Sequence, residues 1–144
     1  MTAEPNGNLT DSEGKHYYAL YWEGKRTKQK TPKDGFIVKG EDTISFLEEK
    51  LTQLGLSERE ANEFIIYWLP KLEANAYNFI RFETKEEIEL NMPLNITPKP
   101  DTLIRVVMEY RVAKGTEKPT PQKLQPIPQR TGFVVVEWGG TELK

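Results

Sequence analysis

Apolar residues recur at two periods along the chain, and the change of period divides it into elements. Ile44, Leu47, Leu51 and Leu54 are three and four apart, which places them on one stripe of a helix. Asp42 or Thr43 is placed to cap its first amides, and Gly55 to end it in the left-handed conformation. A second helix starts at once. Ser57 and Glu60 have the spacing of a capping box, and Ala61, Phe64, Ile65, Trp68 and Leu72 then share one face, with Leu69 beside it. The tight link Gly55-Leu56-Ser57 predicts an antiparallel helical hairpin. Pro70 has no amide hydrogen and crowds the preceding turn, so a kink or break is expected across residues 66–69.

Elsewhere the period is two. Between residues 16 and 23 the β-formers are dense: Tyr17, Ala19 and Tyr21 fall on one face, and Tyr18, Leu20 and Trp22 on the other. Bulk on both faces predicts a strand covered on two sides, closed by Gly24. Residues 35–38 and 77–83 read as strands. Residues 102–111 are the clearest one, with Ile104, Val106, Met108 and Tyr110 on one side and Leu103, Arg105, Val107 and Glu109 on the other. Residues 131–138 form the last. The acidic run 86–89 has no assignment, and 94–97 is extended, stopped by Pro98-Lys99-Pro100-Asp101. Pro119, Pro121, Pro126 and Pro128 make 113–130 an extended surface connection, and residues 1–14 read as a loose polar leader. The connections read as too short for parallel crossovers. The prediction is a single α+β domain over 15–144, with a mainly antiparallel sheet and the hairpin packed on one face.

Composition narrows the chemistry. Hydrophobic residues make up 37% and charged ones 29%, with a net charge of −2, so the excess of basic residues that phosphate backbones require is absent and no nucleic-acid partner is expected. The one basic cluster, Lys25, Arg26, Lys28, Lys30 and Lys33, lies among Thr, Gln, Pro and Gly and reads as a solvated loop. There is no cysteine, which removes thiol nucleophiles and cysteine metal sites. No apolar run approaches the roughly 20 residues of a membrane span, and the first residues lack the pattern of a signal peptide. Each indole sits beside a chain-bending residue: Trp22-Glu23-Gly24, Trp68-Leu69-Pro70 and Trp138-Gly139-Gly140. All three are expected as core anchors.

Candidate sites are few. His16, the only histidine, stands beside two tyrosines with no serine in a nucleophile turn, and reads as structural or exposed. Gly139-Gly140 lies past the last predicted strand and precedes no helix, so it is no phosphate loop. No metal loop and no cofactor fingerprint occurs. The most specific pattern is a set of charges inside otherwise apolar strands: Arg81, Glu83, Arg105, Glu109 and Glu137. Were those strands neighbours, the charges would stack as a ladder of cross-strand pairs. The plain expectation is a solvated outer face, each pair worth about 0–1 kcal/mol. The sharper one is a part-buried groove in which Arg105 binds a carboxylate or sulfate and Glu137 positions it, with Arg105, Glu109 and Glu137 as ligand or partner contacts.

Four segments carry a resemblance: Tyr21-Trp22-Glu23-Gly24, Asn62-Glu63-Phe64-Ile65-Ile66-Tyr67-Trp68-Leu69-Pro70, Leu94-Asn95-Ile96-Thr97-Pro98-Lys99-Pro100-Asp101 and Val136-Glu137-Trp138-Gly139-Gly140. Through them the chain resembles a family of uncharacterised bacterial proteins. The resemblance implies an exported or surface-attached protein, and it brings no activity, cofactor or catalytic residue. The resulting expectation is a non-catalytic binding or structural module of the bacterial cell envelope, with a protein or an envelope glycan as partner. The alternatives are a carboxylate-dependent hydrolase acting in a sheet-face groove and an intracellular scaffold domain.

Overall fold

The two apolar stripes become a helical hairpin lying on one face of a four-stranded sheet. The computed structural model describes residues 1–26 and 31–144. In chain order the elements are β1 (Thr2–Ala3), β2 (Leu9–Thr10), β3 (His16–Tyr17), β4 (Phe36–Lys39), a 3-10 turn (Gly40–Asp42), α1 (Thr43–Gln53), α2 (Glu58–Leu72), β5 (Tyr77–Phe82), α3 (Lys85–Asn91), β6 (Thr102–Val112) and β7 (Val134–Glu142). The fold is α+β, as the change of period predicts.

The hairpin is locally determined. Gly55 has φ +95°, and Ser57 and Glu60 close a reciprocal capping box, with Ser57 N donating to Glu60 Oε2 at 2.7 Å. Ala61, Phe64, Ile65, Trp68 and Leu72 are buried, as are Leu47 and Leu51 of α1. Ile44 departs from its predicted stripe and is exposed, while Phe46 and Leu54 complete the contact. Asp42 makes no side-chain cap; Thr43 Oγ1 instead donates to the Gly40 carbonyl at 2.8 Å, tying the helix start to the 3-10 turn. Pro70 does not break α2, which runs on to Leu72. Pro70 and Ile66 are both exposed, so the turn that loses a hydrogen bond lies on the solvent side of the helix, where the loss costs least.

The main sheet has the order β4-β5-β6-β7. β4–β5 and β5–β6 are antiparallel, but β6–β7 is parallel, in register from Thr102↔Val134 to Tyr110↔Glu142. The chain between them is long enough for a crossover although it contains no helix, and length alone is what a parallel return requires. That connection is stitched to the sheet. The Gln122 amide donates to the Phe82 carbonyl and accepts from Phe82 N at 2.9 Å, and Leu124 packs against the core. β7 also runs further than predicted, so Gly139 and Gly140 lie inside a strand. On the hairpin side the core gathers Val38, Ile80, Phe82, Ile104, Val106, Met108 and Tyr110. Trp68 and Trp138 join it, both about the Phe64 ring.

Three other expectations are corrected. Residues 1–17 carry a small three-stranded meander, β1-β2-β3, where the sequence reads mostly as a loose leader. The predicted strand 16–23 shrinks to His16–Tyr17, because only Leu9 and Thr10 offer it a pairing edge. Beyond it Tyr18, Leu20, Tyr21 and Trp22 are exposed, so Trp22 is no core anchor: it is 51% accessible. High β-propensity marks a fit to a half-buried pleat, and with no sheet alongside, the same residues remain an irregular strap. The unassigned acidic run is α3, opened by a second capping box from Thr84 and Glu87.

The adjacent glycines of β7 differ sharply. A methyl group at Gly140 would stand 2.8 Å from the Met108 carbonyl oxygen and 2.9 Å from the Trp68 ring, whereas one at Gly139 meets nothing within 4 Å. Gly140→Ala should therefore destabilise by about 1–3 kcal/mol and Gly139→Ala by less than about 0.5 kcal/mol, read from urea unfolding of the two variants. Equal costs would contradict this packing.

Candidate functional site

Because side chains alternate along a strand, the residues opposite the hairpin form a second face: Phe79 and Arg81 on β5, Arg105, Val107 and Glu109 on β6, Glu137 on β7. The register sets Arg81 directly across from Glu109 and Arg105 across from Glu137. Arg81 Nη1 donates to Glu109 Oε2 at 2.9 Å, and Arg105 Nε to Glu137 Oε2 at 2.5 Å. The ladder therefore exists, and it is not the solvated face that was expected. Arg81, Glu83 and Glu109 are each less than a tenth exposed.

Three further segments close over it. The capping box of α3 aims Glu87 so that both its oxygens accept from Arg81 Nη2, at 3.2 and 3.1 Å. Asp34, just before β4, stands 3.5 Å from Arg81 Nε. The strap crosses the outside: Trp22 Nε1 donates to Glu137 Oε1 at 2.9 Å, and Arg26 Nη1 lies 2.5 Å from Glu83 Oε1 and 2.6 Å from Glu109 Oε1. Arg26 was expected in a solvated loop; its side chain is 16% exposed and ion-paired, because two carboxylates brought together by the sheet need a cation. Lys28 and Lys30 of the same cluster lie outside the described residues.

The predicted contacts are thus already engaged. Arg105 spends Nε on Glu137 and Nη1 on the Met92 carbonyl at 2.8 Å, leaving Nη2 buried without an acceptor. Glu109 meets both Arg81 and Arg26, and Glu137 meets Arg105 and Trp22. Glu87, Asp34, Arg26 and Trp22 are partners that the ladder pattern alone did not name. Glu87 had a legible signal, since Thr84-x-x-Glu87 is a capping box. The other three are held by tertiary folding alone.

Burial above all, and then the hydrogen bond shared with Glu109, push the Glu83 carboxyl up to about 7, against the pull of Arg26. Glu109 goes the other way. Burial works to raise it, but hydrogen bonds from Glu83, Arg81 and Arg26 outweigh that and hold it below the usual range. One proton accordingly sits on Glu83 in mild acid and is donated to Glu109, a neutral acid beside a carboxylate.

His16 lies in the small meander, where Nδ1 meets Thr10 Oγ1 at 3.0 Å, and is largely exposed. Among the described residues no group of three or more histidine, cysteine or acidic side chains could hold a metal ion. Two shallow recesses of about 440 and 630 Å³ share Lys39 and Tyr77 near the start of α1 and touch none of the ladder residues. No helix among the described residues is long and apolar enough to cross a membrane. Comparison with protein-family models, characterised proteins and solved structures gives no significant match.

The raised Glu83 carboxyl makes a sign prediction. The folded chain holds its proton up to about 7 while an unperturbed glutamate releases it near 4.5, so Glu83 contributes stability below 4.5 that is lost as pH rises to about 7. Glu83→Gln should flatten that fall and make the variant more stable than the native chain at pH 8, on the order of 2 kcal/mol, while the two are similar at pH 4.5. Urea unfolding at both pH values measures it; a native chain equally stable at pH 5 and pH 8 counts against the shared proton.

Proposed function

We propose that the chain is a non-catalytic binding module, and that the strap at residues 18–26 is its contact surface. One observation carries this reading. Tyr18, Leu20, Tyr21 and Trp22 stand 63%, 64%, 76% and 51% exposed on a segment with no regular structure, pinned to the sheet by Trp22 and Arg26. Four large apolar side chains in five residues form the kind of patch that marks an interaction site rather than scattered surface hydrophobicity. Aromatic rings with polar tips suit both an envelope glycan, by stacking, and a protein surface. The setting at a bacterial cell envelope rests on the resemblance of the four sequence segments.

A second reading, a carboxylate-dependent hydrolase, is favoured by the Glu83–Glu109 pair, whose environments drive two carboxyls apart in acidity as acid–base catalysis requires. Against it, Arg26 occupies the position next to both carboxylates that a substrate would need.

Tyr18→Ser, Leu20→Ser and Tyr21→Ser combined should leave the melting temperature within about 2 °C, since exposed side chains are replaced. The same variant should reduce retention on purified bacterial cell-wall fragments by about tenfold or more, in line with the loss of a contact centre. Undiminished retention would remove the strap from the binding surface. Turnover of a glycoside panel, lost in Glu109→Gln, would instead favour the hydrolase.

A further inference from the structure

The strap is fastened in an unusual way. Among the described residues, 18–26 make no backbone hydrogen bond to the rest of the chain; they are held to the sheet through two side chains, each on an acidic residue. The inner anchor is also incompletely used. Arg26 gives one nitrogen, Nη1, to both Glu83 Oε1 and Glu109 Oε1, although a guanidinium carries a fork of donors that matches two carboxylate oxygens at once. Meanwhile Glu83 Oε2, on a side chain 1% exposed, is buried with no hydrogen-bond donor to meet it once the carboxyl is ionised and no proton bridges to Glu109. The charge does not balance without Arg26: Asp34, Glu83, Glu87 and Glu109 would face Arg81 alone. The structure therefore contains a cation receptor more complete than the group that fills it.

We propose that the Glu83–Glu109 pair is a guanidinium-binding site, filled in cis by Arg26 and open in trans to an arginine side chain of a partner polypeptide that lifts the strap. The site is on the page independently of the binding-module reading; only the identity of the trans occupant rests on it. A polypeptide fits better than a free cation because the strap that must move carries four large exposed apolar side chains, which a peptide chain can cover. An incoming guanidinium can place separate nitrogens on the two carboxylates, including the idle Glu83 oxygen. Lysine, a point charge with no planar fork, should bind more weakly. The strap competes as a tethered ligand, so the native chain should bind an added guanidinium more weakly than a chain without Arg26.

The test is rescue of Arg26→Ala at pH 8 with arginine amide, lysine amide, or sodium chloride at equal ionic strength, read from the melting temperature and from the fluorescence of Trp22. Expected is a saturable rise with arginine amide at millimolar concentration, about tenfold weaker in the native chain, and little effect from lysine amide or salt. The rise should vanish when Glu83→Gln and Glu109→Gln are added. Equal responses to arginine amide and sodium chloride would overturn the site. Should Arg26→Ala fail to fold, Arg26→Lys, which keeps the charge and loses the fork, takes its place with the same outcomes. The blocked tripeptide acetyl-Ala-Arg-Ala-amide separates the sources: binding as tight as arginine amide or tighter supports a polypeptide occupant, and binding of the free amino-acid amide alone overturns it. Cell-wall retention is read on the intact chain, so loss of the binding-module reading and loss of the site are seen separately.

Discussion

Everything on the outer face of the sheet is arranged around the Arg81 guanidinium. A buried positive charge is tolerable only when several acceptors surround it, and this one meets Glu109 from the neighbouring strand, Glu87 from α3 and Asp34 from the approach to β4. Each partner belongs to a different segment, so surrounding one guanidinium with carboxylates fixes the placement of three pieces of chain. Surplus carboxylate then collects on the far side of Glu109, and it recruits Arg26 and with it the strap. The hairpin face owes its cohesion to apolar area; the opposite face owes its order to charge that cannot be left alone.

The two halves of that arrangement differ in chemical character. Arg105 with Glu137 is a simple cross-strand pair with a carbonyl and an indole attached. Glu83 with Glu109 is a pair of like groups pressed together, which one proton or one cation can reconcile. In mild acid the proton does so. In base Arg26 carries the burden, and the inner of the strap's two fastenings becomes purely ionic. A segment whose aromatic residues face solvent is thus tethered in part by a contact that changes character with pH.

Much of the architecture was legible in the sequence. The two helices declare themselves by apolar spacing, a glycine stop and a capping box, all local signals. β6 is equally plain, and even the ladder is visible as charges inside apolar runs, because Arg81, Arg105, Glu109 and Glu137 keep the strand period. What could not be read was register and burial. Whether Arg81 faces water depends on α3, Asp34 and the strap, and of these only α3 lies near it in sequence. Tyr18, Leu20 and Trp22 misled for the converse reason: they have the composition of a strand, and composition does not provide the sheet edge that would pair with it. The parallel return of β7 was hidden too, since a proline-rich stretch gives no sign of where its far end lands.

That parallel return has a consequence for how the molecule assembles. The chain from β4 to β5 is largely taken up by the α1–α2 hairpin and that from β5 to β6 in part by α3, so forming those helices shortens the span that each antiparallel pairing must close. The connection from β6 to β7 contains no helix. The ladder of β7 with β6 joins residues 32 apart at every rung, and Trp138 cannot settle beside Phe64 until the intervening chain has been drawn past the end of β5, where the Gln122 amide fastens to Phe82. Among the described strands of the main sheet, β7 is therefore the one whose return no helix shortens, and until it arrives the half-built sheet keeps an edge of β6 bare.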